Sequence, residues 1–247
     1  NNIFEKYQKL VGKTVFGTVV RIDNDENTYI EIEEIRAVLP RKNRIKGEKF
    51  KIGNVVKSVI RKVLIDKSQG MYVELSRTSP KFLESLLELE VPEIKDEMIK
   101  IVGSARIPGE RAKIALSSLH PNIDAVGATV GTKGVRINAV SKELHNENID
   151  CIEYSNISEI FIARALSPAI ISNVKIQNGK AIVTLPSDQK SKAIGKNGIN
   201  IRLTSMLTGF EIELVESGSS TVSAESSSHD DQPERDPNAL KNLFGGL

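Results

Sequence analysis

The sequence contains no tryptophan, one cysteine and three histidines, and aromatic residues make up only 4% of its 247 residues. The single cysteine, Cys151, excludes an intramolecular disulfide framework and a zinc site built from cysteines. His120, His145 and His229 are scattered, and no two of them have the spacing of a metal-ligand pair. Because aromatic rings are few, we do not expect a binding surface that depends on many base-stacking platforms.

Long apolar runs are absent as well. No stretch is long enough to cross a membrane, and no secretory signal is recognisable. Together with the lack of disulfides, this predicts a cytoplasmic protein without membrane partners. We expect no enzyme activity, cofactor or metal, because the acidic clusters have the spacing of solvated faces. The sequence begins at Asn1 rather than at methionine, which indicates a fragment or a processed product.

Positive charge is present but unevenly placed. The net charge is only +2, yet residues 36–67 hold eleven lysines and arginines against two acids. Such a cluster attracts polyanions, although a charge run is also compatible with an ordinary solvated face. The predicted contacts to an RNA backbone are Arg41, Lys42, Arg44, Lys46, Arg61 and Lys62.

Residues 11–76 predict a small all-β barrel, and residues 1–10 before it are interpreted as a linker. Four segments between predicted turns are rich in β-branched residues: 14–22, 28–35, 55–65 and 71–75. About five short antiparallel strands in such a short region are typical of an OB-fold.

A duplication organises the next part of the chain. Residues 77–154 and 155–216 both predict the order helix, strand, strand, helix, helix, strand. The first of these helices is predicted to begin at Ser79-Pro80, and the first helix of the second copy after Ser158, with serine as the N-cap. In both copies a G-x-x-G lies between the last two helices, and the second motif follows the first by 64 residues.

The chemistry of the repeated motif points to phosphate. The first amides of a helix have no intrahelical partner, and glycines on both sides let a sugar-phosphate backbone approach closely. A lone G-x-x-G is also compatible with a plain helix-helix turn, whereas two copies with lysine in the same element order predict KH modules that grip single-stranded RNA. A nucleotide P-loop is excluded because the spacing fails. The predicted RNA-binding residues are Gly131, Thr132, Lys133, Gly134, Arg136, Gly195, Lys196, Asn197, Gly198, Asn200 and Arg202.

Longer strings around these motifs resemble the NusA family of bacterial transcription elongation and termination factors. The strings are LSRTSP and LELEVPEI within residues 75–94, HPNIDAVGATVGTKGVRI at 120–137, ALSPA at 165–169 and AIGKNGINIRL at 193–203. The resemblance implies a multidomain fold, in which an OB barrel of the ribosomal-protein S-one type precedes two α+β domains of the type II KH fold. It also implies a factor that binds nascent RNA and regulates pausing, termination and antitermination.

The same resemblance implies further partners and shows two departures. The implied partners are the RNA polymerase elongation complex and other elongation or antitermination factors. The family's N-terminal polymerase-docking domain is not found in this sequence, and residues 217–247 match nothing in the family and are expected to be a disordered, acidic and serine-rich tail. Two alternatives stay open at this point: the KH and OB part of an RNA-processing enzyme, or a ribosome-associated protein.

Overall fold

The computed structural model describes residues 2–218. Residues 219–247, which contain almost all of the predicted disordered tail, lie outside this range. Among the described residues, no helix is both long and apolar enough to cross a membrane.

The first module is a closed five-stranded barrel with the strand order β1-β2-β3-β5-β4. Its strands are β1 (Thr14–Ile22), β2 (Thr28–Ile32), β3 (Ile35–Leu39), β4 (Val55–Asp66) and β5 (Gly70–Ser76). Neighbouring strands are antiparallel except β3 and β5, which pair in parallel at Val38 and Glu74 and thereby close the barrel. This is the predicted OB topology, with one correction, since the strands are not all antiparallel.

A second correction concerns the segment 28–35, which was predicted as one strand. The chain turns at Glu33, which has a φ of 46°, so that β2 ends and β3 begins as a separate strand. Alternating burial on both sides of the turn keeps Ile30, Ile32 and Ile35 in the barrel core. The two consecutive exposed residues Glu33 and Glu34 interrupt this alternation, and the prediction of a single strand overlooked the interruption.

The residues before the barrel are not a plain linker. Residues Asn2–Gln8 form helix α1, and the ring of Tyr7 is buried in the barrel core. The Tyr7 hydroxyl donates to Glu34 at 3.2 Å, and Lys6 pairs with Glu33 at 2.7 Å. The helix is therefore part of the barrel module, because Tyr7 lies in the barrel's apolar core and Phe4 packs against that core.

The second module follows the barrel after three residues. Its elements are α2 (Pro80–Glu90), α3 (Pro92–Lys95), β6 (Ile99–Ile107), β7 (Arg111–Ser118), α4 (Ala125–Val130), α5 (Val135–Glu143) and β8 (Asn148–Glu153). As predicted, Ser79 caps α2, where its side-chain oxygen accepts from the Lys81 amide at 3.2 Å. β7 pairs antiparallel with β6 and parallel with β8, which is the sheet expected of a type II KH fold.

The third module repeats the second, except that α3 has no counterpart. Its elements are α6 (Ser158–Ala165), β9 (Asn173–Gln177), β10 (Lys180–Leu185), α7 (Lys190–Ile194), α8 (Ile199–Thr208) and β11 (Glu211–Glu216). β10 pairs antiparallel with β9 and parallel with β11, as in the first copy. The predicted serine cap is wrong here, because Ile157 occupies the N-cap position and Ser158 is already the first helical residue, without a side-chain cap.

The three modules pack directly on one another. Ile45 and Val59 of the barrel belong to the same apolar cluster as the core of the second module. The second and third modules share a smaller cluster around Ile152 and Phe161. At this second junction the buried Lys113 ammonium donates to the Ser167 carbonyl at 3.0 Å.

Candidate nucleic-acid interface

The two G-x-x-G loops have the same backbone conformation. In each loop the first glycine leads into a single 3-10 turn, and the second glycine is the N-cap of the following helix. At the first glycine, φ and ψ are 79° and 169° for Gly131 and 74° and 171° for Gly195. At the third position they are 55° and 26° for Lys133 and 57° and 23° for Asn197. At the second glycine they are 73° and 15° for Gly134 and 71° and 13° for Gly198. The duplication seen in sequence is therefore a duplication of local geometry.

This conformation requires glycine at the first position. A φ near +75° with a ψ near 170° is a region that essentially only glycine occupies. A Cβ on Gly131 would lie 2.8 Å from Arg136 Cγ, and a Cβ on Gly195 would lie 2.7 Å from Asn200 Cβ. The first glycine is thus required by the backbone conformation and the local packing of the loop.

The two middle residues of each loop point into solvent. Thr132, Lys133, Lys196 and Asn197 are all exposed, so a lysine side chain is free to move at the tip of each loop. Val135, directly after the first loop, keeps 62% of its surface exposed. An exposed apolar side chain beside a lysine and the start of a helix is suited to a ligand that offers a phosphate and a flat base.

Asn200 requires a correction, because its side chain is buried and does not face solvent. Its amide nitrogen lies 3.0 Å from the Ala193 carbonyl, 3.3 Å from that of Lys192 and 3.2 Å from that of Leu166. Only 1% of Asn200 is exposed. The residue therefore ties α8 to the end of α7 and to α6, and it is not available for direct RNA contact.

Arg136 holds the equivalent position in the first loop and makes the equivalent contact. Its guanidinium donates to the Ala128 carbonyl at 2.7 Å, and Ala128 precedes Lys192 by the same 64 residues. It also pairs with Glu93 at 2.7 Å. The pKa of the Glu93 carboxyl is lowered by a hydrogen bond from its own backbone amide and by Arg136. The Arg136 guanidinium is thus held by contacts within the protein, with the Ala128 carbonyl and with Glu93.

The predicted contact Arg202 is the fourth residue of α8 and is exposed. Its counterpart in the first copy is Asn138, which is also exposed. Position 202 therefore adds a positive charge beside the second loop that the first loop lacks. Sequence alone did not separate position 202 from position 200, since both follow the loop on the same helix.

The six predicted bases of the barrel differ in how freely they are presented. Lys42 and Lys46 are exposed, and neither forms an ion pair with any residue in the range 2–218. Arg41 is exposed but lies 3.0 Å from Glu26, whereas only 13% of the Arg44 side chain is exposed and the same Glu26 is 3.7 Å away. Arg44 is consequently a poor candidate for direct RNA contact.

Arg61 and Lys62 lie on β4 on either side of the buried carboxylate of Glu74. The Arg61 guanidinium is 2.6 Å from Glu74 and the Lys62 ammonium is 4.0 Å away. Burial alone would raise the pKa of Glu74, but the hydrogen bond from Arg61 and the charge of Lys62 bring that pKa below its ordinary value. Both bases keep about half of their side-chain surface exposed, at 51% and 46%.

Sequence reasoning missed one part of this surface. A shallow cavity of about 600 Å³ on the barrel is lined by Tyr29, Arg36, Lys42, Tyr72 and neighbouring residues. The Arg21 guanidinium carbon stands 4.2 Å from the centre of the Tyr29 ring. Tyr29, Arg36 and Tyr72 lie on β2, β3 and β5, and the folding of these strands into the barrel brings the two rings and the bases to one cavity.

Comparison with known proteins places these features in a family. The profile of the NusA-like first KH domain matches residues 77–154, and that of the NusA-like second KH domain matches residues 158–222. The transcription termination/antitermination protein NusA of Helicobacter pylori strain 26695 is 47% identical over 98% of this chain and 67% of its own length. This chain belongs to the NusA family.

Other NusA proteins agree over shorter spans. That of Thermus thermophilus is 42% identical over 87% of the chain and 56% of its own length, and that of Bacillus subtilis is 38% identical over 80% and 53%. The chain thus spans between about half and two thirds of these relatives. Membership of the NusA family confirms the resemblance and the predicted fold class, a β barrel followed by two type II KH domains.

Proposed function

We propose that this chain is the RNA-binding part of a NusA-type transcription factor, and that it binds single-stranded RNA through its two G-x-x-G loops. The observation that carries the proposal is the pair of loops with matching backbone angles, each ending in a glycine that opens a helix. It is supported by relatives that are named as transcription termination/antitermination proteins. The whole factor would act on pausing, termination and antitermination in the cytoplasm, by binding and not by catalysis.

The geometry suggests how each loop would hold RNA. A phosphate placed at the start of α5 or α8 would meet unpaired helix amides and the positive end of the helix dipole. Lys133 and Lys196 would add a charge at each site, and Val135 would offer an apolar contact to a base. The boundaries that we propose for the domains are 11–76, 77–154 and 155–216, with helix α1 packed on the first of them.

The barrel is proposed to contribute positive charge near the same RNA strand. Lys42 and Lys46 are the best candidates, followed by Arg41, Arg61 and Lys62, since these side chains remain exposed. Proposed partners are nascent RNA and, for the whole factor, the RNA polymerase elongation complex together with other elongation or antitermination factors. No cofactor is needed for this function.

The test is a charge reversal at the tips of both loops. Thr132→Asp, Lys133→Asp, Lys196→Asp and Asn197→Asp together change the net charge by −6. Positions 133 and 197 have positive φ, which aspartate tolerates, and acids at a helix N-terminus are favourable, so the fold is expected to persist. At about 1 kcal/mol or more for each reversed charge near a phosphate, single-stranded RNA affinity should fall at least about 30-fold.

A matched control separates local contact from net charge. Lys9→Asp, Lys81→Asp and Lys175→Asp also change the net charge by −6, at exposed positions away from both loops. Fluorescence anisotropy with a labelled single-stranded RNA at several salt concentrations measures both variants. Equal losses in the two variants would show that the loops hold no phosphate, and the proposed function would then be wrong.

A further inference from the structure

Arg77 lies between the barrel and the first KH domain and uses all of its hydrogen-bond donors. The Nε group donates to Glu48 at 3.0 Å, and Nη2 donates to Glu48 at 2.7 Å and to the Glu143 carbonyl at 2.9 Å. Nη1 donates to the Glu143 carboxylate at 2.9 Å and to the Lys57 carbonyl. A guanidinium has five N–H groups, and each of them has a partner here.

These partners come from both domains. Glu48 and Lys57 belong to the barrel, whereas both acceptors of Glu143 belong to the first KH domain. Only 6% of the side chain of Arg77 and of Glu48 is exposed, so water screens this bridge little. The guanidinium also stands 5.7 Å from the ring of Phe50 in the barrel and 5.2 Å from that of Phe82 in the KH domain.

The two ends of the bridge lie in the elements that carry the candidate RNA contacts. Glu48 is in the same loop as the exposed bases Lys42 and Lys46, and it fixes that loop by accepting from the Ile45 amide at 3.1 Å. Glu143 is the last residue of α5, the helix that begins directly after the first G-x-x-G loop. Arg77 is therefore connected to that loop through one rigid helix of nine residues.

A second buried pair lies inside the first KH domain, close to the same junction. Arg106 and Glu147 are both without exposed side-chain surface and lie 2.9 Å apart. Arg106 also donates to the carbonyl of Ser79, two residues after Arg77, at 2.9 Å. Apolar contacts such as those of Ile45 and Val59 hold the domains together, but such contacts are not directional and do not fix the relative orientation of the domains. A planar guanidinium whose N–H groups are all hydrogen-bonded does fix this orientation.

We propose that Arg77 is a positioning residue for RNA binding: it fixes the basic loop 41–49 of the barrel at one distance from the first G-x-x-G loop, so that one RNA strand engages both. This inference rests on the proposed function. Binding to two sites on one rigid body gains affinity because the second contact is intramolecular, and the gain shrinks when the geometry is loosened. The residue itself touches no RNA.

The test compares two lengths of unstructured RNA. An oligonucleotide of about 8 nucleotides suffices for two KH loops, and one of about 20 also reaches the barrel. The variant is Arg77→Met with Glu48→Gln, which leaves no buried charge unpaired at position 48 and keeps an acceptor for Ile45. The wild-type chain should bind the longer RNA about 10-fold or more tightly than the short one. The variant should lose most of this increase in affinity, while its affinity for the short RNA stays unchanged.

The matched control is Arg111→Met, which removes a guanidinium–carboxylate pair that lies wholly inside the first KH domain. This control variant should keep the full increase in affinity from the short to the longer RNA. If the double variant keeps the full gain as well, the positioning role is overturned. If the wild-type chain fails to bind the short RNA, the proposed function itself fails, and the two results are distinguishable.

Two further measurements guard against loss of folding. Circular dichroism reports whether the double variant folds, and spin labels at Gln69 and Lys95, both exposed, report the distance between barrel and KH domain. The distance distribution should broaden in the double variant and stay narrow in the control. Should the double variant not fold, Glu143→Gln weakens the same bridge at a partly exposed position, and an unchanged gain with RNA length in that variant overturns the proposal.

Discussion

The buried amide of Asn200 leads to a prediction that separates a structural role from an RNA contact. Asn200→Ala removes both N–H donors from the three carbonyls that surround them at 3.0–3.3 Å. Each lost hydrogen bond costs about 1 kcal/mol, and the carbonyls left unpaired in a buried site cost more. The expected destabilisation is therefore about 2–4 kcal/mol, or roughly 5–10 °C in the melting temperature of a chain of this size.

Arg202 provides the comparison, because it lies two residues further along the same helix and is exposed. Arg202→Ala should change stability by no more than about 0.5 kcal/mol, yet weaken single-stranded RNA binding several-fold by removing a charge beside the loop. Differential scanning calorimetry and anisotropy titrations at a temperature where every variant is folded measure the two effects. An Asn200→Ala variant that melts like the wild type but binds RNA poorly would refute the structural role.

Three other outcomes follow from the same geometry. Gly131→Ala should lower stability by about 1–3 kcal/mol, because its backbone angles are essentially closed to other residues, and thermal unfolding measures the loss. Burial raises the pKa of Cys151 to about 12 from an ordinary value of 9.0, so the reactive thiolate is depleted at pH 8 and reaction with a thiol reagent should be much slower than for a free cysteine. Rapid labelling of the folded chain would contradict this burial. Lys113→Met should loosen the contact between the two KH domains by removing the bond to Ser167, and unfolding should then separate into two transitions in calorimetry, whereas a single sharp transition would show that the apolar contacts suffice.

Much of the fold was predictable because it depends on neighbours in sequence. Positive φ at a glycine, a serine cap followed by proline at α2, and runs of β-branched residues act within a few positions. For this reason the predicted element order agrees with the second KH domain, and with the first apart from the short additional helix α3. The turn at Glu33 was not predicted: its local signal is only a shift of the alternation by one residue, because Glu33 and Glu34 are both exposed.

The same distinction applies to the candidate site, where some features depend on short stretches of sequence and others on tertiary contacts. The sequence alone determined that there are two G-x-x-G loops, that lysine lies at the tip of each, and that the chain resembles the NusA family, since these are properties of short strings. Only the tertiary structure decided that Asn200 and Arg136 tie helices together, that Glu26 holds Arg44, and that Arg77 joins two domains. The reason is physical: whether a polar side chain meets solvent or a buried carbonyl depends on residues that are distant in sequence, and folding alone brings them into contact.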